Sequence, residues 1–144
     1  MKIRKREGPT RAGVLMRVLI VESNAALATV WQDHISRQGH EALSVQSQDA
    51  AIEALMSGPF GIVVLDLVLD EGSAFAVADY ASYRRPDAKV IFVTNTSFFS
   101  DGSIFQHMQN AAAFLPTGTR PEDLAQLVDY YGSEAQKPAV AGSA

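Results

Sequence analysis

Residues 61–75 read "GIVVLDLVLDEGSAF". Ile62, Val63, Val64 and Leu65 form an unbroken apolar run rich in β-branched strand formers. Asp66 follows without a spacer. A bare carboxylate inside an apolar layer is costly, so the acid belongs at the rim, where the strand ends. The run is continuous rather than alternating, as a strand covered on both faces requires. This stretch therefore predicts a buried parallel sheet with an acid at the carboxyl end of one strand.

The pattern repeats in both directions along the chain. Strands are expected at 17–21 ("RVLIV"), 40–46, 60–66, 88–95 and 111–116 ("AAAFLP"). Helical spacing fills the intervals. Leu27, Val30, Trp31, His34 and Ile35 share a face, closed by Gly39. Ser47 caps a helix that Gly58-Pro59 ends, and Ser73 caps one that closes before Pro86. A weaker helix is expected over 100–110. The last opens with Pro121, Glu122 and Asp123 and stops at Gly132. Five strands alternating with five helices predict an α/β doubly wound parallel sheet. No internal repeat or second domain is visible. The expected divisions are a disordered basic leader (1–15), one domain (16–132) and a disordered tail (133–144).

Composition narrows the function. The chain has 144 residues and no cysteine, which removes disulfides, thiolate metal sites and cysteine nucleophiles. No apolar run approaches the roughly 20 residues of a membrane helix, and a cytoplasmic location is expected. Residues 1–17 carry six basic side chains against one acidic, a net +5; the remainder carries six against fifteen, a net −9. The acidic body disfavours nucleic acid. "ESNAAL" after the first strand lacks the glycines of a nucleotide-phosphate loop, and no base accompanies a nucleophile for hydrolysis.

In an open α/β sheet, ligands sit beyond the carboxyl ends of the strands. Those ends hold Glu22, Ser23 and Asn24; Asp66; Thr94 and Asn95; and Phe114 and Leu115 followed by Pro116, Thr117 and Gly118. At these residues the chain resembles the receiver domains of two-component response regulators, over residues 16–131. "RVLIVES" resembles the family's first strand and acidic pair, and "GIVVLDLVLDEGSAFAVA" its phosphoacceptor strand, with Asp66 at the aspartate and Gly72 in the next loop. "RRPDAKVIFVTN" resembles the fourth strand with its hydroxyl, Thr94, and "AAAFLPTGTRPEDL" the fifth with its conformational aromatic, Phe114. Glu22 precedes Asp66 by 44 positions and Thr94 follows it by 28, both close to family spacing.

The resemblance implies a flavodoxin-like (βα)5 fold and a signalling module rather than an enzyme. Asp66 would take a phosphoryl group from a histidine kinase or phosphotransfer protein. Mg2+ would be held by oxygen ligands, Glu22 and Asp66. Thr94 and Thr117 would face the phosphoryl oxygens, and Phe114 would move with Thr94. A downstream protein partner is implied, and a homodimer, if formed, would use the fourth and fifth helices. Plain structural readings stand beside these: Phe114 as core, Glu22 as a hydrogen-bonded rim carboxylate, Asp70 and Glu71 as solvated loop residues. Trp31 and Tyr80 read as packing residues, and Tyr130-Tyr131 as an anchor for the last helix. His34, His40 and His107 carry no metal or relay reading.

Three departures from the family stand out. Ser23 replaces the second acid of the pair, so Mg2+ binding is expected to be weak. Thr117 and Gly118 replace the usual lysine and proline; Lys89 and Lys137 are not placed to substitute. Phe98 and Phe99 are adjacent, so one would face a partner or both would pack on the sheet edge. The leading reading is a stand-alone receiver; the alternative is a pseudo-receiver adaptor that binds its partner without phosphorylation.

Overall fold

The structure, a computed structural model, describes residues 16–94 and 110–136. The basic leader, the helix expected over 100–110, Asn95, Phe98, Phe99, His107 and the end of the chain lie outside the described residues. Five strands form one parallel sheet: β1 (Arg17–Val21), β2 (Glu41–Val45), β3 (Ile62–Asp66), β4 (Lys89–Thr94) and β5 (Ala111–Pro116). Their order is β2-β1-β3-β4-β5. Four helices are described: α1 (Ala25–Arg37), α2 (Gln48–Ser57), α3 (Ala74–Arg84) and α4 (Pro121–Gln136).

The continuous apolar strands divide their side chains between two cores. Leu19, Val21, Val63, Leu65, Val90 and Phe92 pack with Ala51 and Leu55 of α2 and Val77 and Ala81 of α3. The alternate residues Val18, Ile20, Ile62, Val64, Ile91 and Val93 pack with Trp31 and Ile35 of α1 and Leu124 and Val128 of α4. Period-two alternation across a doubly covered sheet leaves no polar position in the strand centres. That is why the runs are unbroken.

The helix starts follow capping chemistry. Ser47 Oγ accepts the Ala50 N–H at 3.2 Å and Ser73 Oγ accepts the Ala76 N–H at 3.3 Å. Asn24 caps α1 by accepting the Leu27 N–H at 3.0 Å.

The end of α4 departs from expectation. The helix does not stop at Gly132 but runs to Gln136. Gly132 is buried, and a Cβ there would collide with Met16 Cε. The glycine lies inside α4 against the tip of the Met16 side chain, and does not end the helix. His40, at the start of β2, is also buried, with Nε2 2.8 Å from Asp129 Oδ1 on α4. At β5 the register slips between Val90 and Ile91, and Ala112 is the extra residue. Tyr131 Oη donates to the freed Ala112 carbonyl at 2.9 Å. Tyr131 thus anchors α4, whereas Tyr130 is exposed.

Candidate functional site

Register places the acids side by side. Val21 pairs with Leu65, so Glu22 and Asp66 come next on adjacent strands. Asp66 pairs with Val93, one residue short of Thr94. Thr94 pairs with Pro116, and its carbonyl accepts the Thr117 N–H at 3.0 Å. Glu22, Asp66, Thr94 and Thr117 therefore line one edge of the sheet. The crevice between β1 and β3 is where the strand order reverses, the place where such sheets bind ligands.

The carboxylates differ in environment. Asp66 is half-buried, and its Oδ1 accepts the Val68 N–H at 2.9 Å. Glu22 is only 3% exposed. Its Oε2 accepts the Asn24 N–H at 2.9 Å, while Oε1 is buried with no donor facing it. Burial pushes the Glu22 carboxyl from the ordinary 4.5 up to about 7, helped by a hydrogen bond to Asp66 and by the charges of Asp66 and Asp70. The Asn24 amide opposes this rise. Two carboxylates can hydrogen-bond only when they share a proton, so Glu22 keeps one through the mildly acidic range and gives it up around neutrality.

Ser23 is engaged elsewhere: its Oγ accepts the Asp70 N–H at 2.8 Å. The loop after Asp66 is held from the other side by Gln48. Gln48 Oε1 accepts the Ser73 N–H at 2.7 Å, and the Gln48 N–H donates to the Glu71 carbonyl at 3.2 Å. Gly72 lies between at φ +96°, where a Cβ would also collide with Gln48. The sequence reading missed this clamp; the only local signal was a glutamine behind a helix cap. Asp70 and Glu71 are exposed.

Thr94 is 2% exposed. Phe114 is half-buried and stacks on Phe92, with centroids 5.5 Å apart at 14°. Thr117 is half-buried, and Lys89 lies at the opposite end of β4. Among the described residues no group of three or more acidic or histidine side chains is placed to hold a metal ion. Glu22 and Asp66 remain as a two-carboxylate set. That set suits a largely hydrated Mg2+ held weakly, and Glu22 Oε1, which faces no donor, becomes a ligand oxygen once the proton is lost.

No family model matches the chain. It is 25% identical over 121 residues to the DNA-binding transcriptional regulator NtrC of Rhizobium meliloti, covering 84% of this chain and 24% of that protein. A Bradyrhizobium NtrC matches at 24%. The chain thus spans about a quarter of the length of the curated relatives it matches. Among solved structures, it is similar to a CheY-like response regulator receiver domain of Methanospirillum hungatei, with TM-score 0.76, 21% identity, and 85% and 97% of the two chains covered. It is also similar to the receiver domain of a LuxO repressor protein of Vibrio parahaemolyticus, with TM-score 0.73, 23% identity, and 84% and 92% covered. A third likeness is TrrA of Thermotoga maritima, solved in complex with Mg2+-BeF, with TM-score 0.69, 20% identity, and 80% and 97% covered. Strand order, the acids beside the switch point and these likenesses converge: the fold of this chain is that of the response regulator receiver domains.

Proposed function

We propose that the chain is a receiver module that accepts a phosphoryl group on Asp66 and signals through protein contacts. The observation that carries this reading is Asp66 at the carboxyl end of β3, in register beside Glu22 and one strand from Thr94. Asp66 Oδ1 accepts the Val68 amide, which orients the carboxylate that would attack. In the transfer, the P–N bond of a donor phosphohistidine breaks and a P–O bond to Asp66 forms. The imidazole leaves as the donor's own neutral histidine once protonated.

Mg2+ held by Glu22 and Asp66 would neutralise charge on the phosphoryl oxygens. The chain's own residues do the rest. Glu22 must give up its proton for its carboxylate to serve as a ligand. The Thr94 and Thr117 hydroxyls would donate to phosphoryl oxygens; Thr117 offers no full positive charge, so the acyl phosphate is held less firmly than a lysine would hold it. Phe114, stacked on Phe92, would follow Thr94 inward. The chain is then a phosphoryl acceptor in the cytoplasm rather than an enzyme. Its partners are a histidine kinase or phosphotransfer protein and a downstream protein.

Intact-protein mass with a small phosphodonor, with and without Mg2+, tests this. The expected result is a Mg2+-dependent phosphoryl adduct that disappears in Asp66→Asn. No adduct under any condition, with partner binding unchanged in Asp66→Ala, would instead make the chain a phosphorylation-independent adaptor.

A further inference from the structure

We propose that Ser23 and Gln48 are positioning residues for Asp66, pinning from two sides the loop that sets the direction of its carboxylate. The proposal rests on the reading of Asp66 as a phosphoryl acceptor. The hydrogen bond that orients Asp66 comes from its own stretch of chain: Oδ1 accepts the Val68 N–H at 2.9 Å. Leu67 is fixed, because it is buried and its N–H donates to the Val93 carbonyl at 2.9 Å. The Val68 N–H belongs to the first peptide beyond that fixed point, so its direction follows the course of the loop. Packing holds little of that loop. Val68, Asp70, Glu71 and Gly72 are exposed, and of the five residues 68–72 Leu69 alone reaches a core.

Two neutral side chains from neighbouring loops hold it instead. Ser23, just after β1, accepts the Asp70 N–H through Oγ at 2.8 Å. Gln48, the first residue of α2, accepts the Ser73 N–H through Oε1 at 2.7 Å, and its main-chain N–H donates to the Glu71 carbonyl at 3.2 Å. Ser73 in turn caps α3, so the far end of the loop is fixed at the same place. Apolar packing does not fill the seam. A hollow of about 120 Å³ lies there, lined by Ser47, Gln48, Asp49, Glu71 and Gly72. Asp49 and Glu71 share its wall with like charge, and the charge of Asp70 reaches Glu22. Among the described residues none of Asp49, Asp70 and Glu71 forms an ion pair. Neutral acceptors hold such a loop without adding to the repulsion. The hydroxyl at position 23 thus has a task of its own, where an acid would bring one more negative charge.

The rate of adduct formation on Asp66 with saturating acetyl phosphate and Mg2+ tests this, with thermal melting followed alongside. The phosphoryl group passes to Asp66 and acetate leaves. Ser23→Ala and Gln48→Met each remove one acceptor. Each should slow the saturated rate about tenfold, within the roughly hundredfold that a ~1 Å misplacement can cost. The half-saturating phosphodonor concentration should change far less. Because both residues act through one loop, the double variant should be little slower than the slower single one. Ser23→Thr keeps the hydroxyl and should recover the rate, and Ser47→Ala should lower melting without slowing the reaction. A wild type that takes no phosphoryl group overturns the reading of Asp66 and this proposal with it. A wild type that reacts, with Ser23→Ala and Gln48→Met equally fast, overturns this proposal alone. So do single effects that multiply in the double variant, or equal slowing in Ser47→Ala.

Discussion

At the residue scale the most consequential group is Glu22. Its carboxyl is raised by burial first and by Asp66 second. A group whose pKa is raised on folding contributes its full stability below the unfolded value and loses it as pH rises through the folded value. From about pH 4.5 to above pH 7, this residue alone should lower unfolding free energy by on the order of 3 kcal/mol. Urea unfolding across that range measures the slope, and Glu22→Gln should flatten it. In Asp66→Asn the Glu22 titration, followed by NMR, should move down yet stay above the ordinary value, because burial, the larger cause, remains. An unshifted Glu22 in the wild type would contradict this account. Asp66 was legible as a rim acid because four apolar residues lead into it. The proton on Glu22 was not, since it depends on a neighbour on another strand. Ser23 read as a poor ligand; its acceptance of the Asp70 amide needed coordinates.

At the element scale, caps and strand runs were readable because their chemistry is local. The serine caps of α2 and α3 and the full extent of β5 followed from a few adjacent residues. Asn24 carries an equally local cap signal, an Asn directly before the first helical residue of α1. Gly132 misled because a glycine does not end a helix by itself, and here α4 continues through it to Gln136. His40 and Asp129 lie 89 positions apart, and no local pattern links them. Asp129→Ala should cost about 1–3 kcal/mol by urea unfolding, because His40 Nδ1 already lacks a partner and Nε2 would lose its own. Gly72→Ala combines a left-handed backbone with a collision against Gln48 and should cost about 1–3 kcal/mol. The same substitution should slow adduct formation on Asp66, since the clamped loop follows that residue; Ser47→Ala, a cap on the same helix, should cost about 1 kcal/mol without that kinetic effect.

At the scale of the whole molecule, the doubly covered sheet was legible because the centres of β1, β3 and β4 are apolar on both faces. The two cores confirm the division, with odd and even positions of β1, β3 and β4 facing opposite pairs of helices. What composition could not supply was surface detail. Helical spacing alone gives α3 a stripe of Ala76, Asp79, Tyr80 and Tyr83, but not the exposure that leaves Tyr83 outside the core.

The strand order also bears on synthesis. β1 is made first among the strands, yet it lies between β2 and β3, and the β3 side is completed only by residues Ile62–Asp66. A nascent chain emerging from the ribosome holds this apolar strand half-covered until β3 has cleared the exit tunnel. Among the described residues every strand pairing is parallel and spans a crossover, so β1 is not sheltered by a hairpin with β2 or β3. Arrest-peptide force measurements should register no folding pull before β3 emerges, and the interval before it is when a ribosome-associated chaperone has the most to hold.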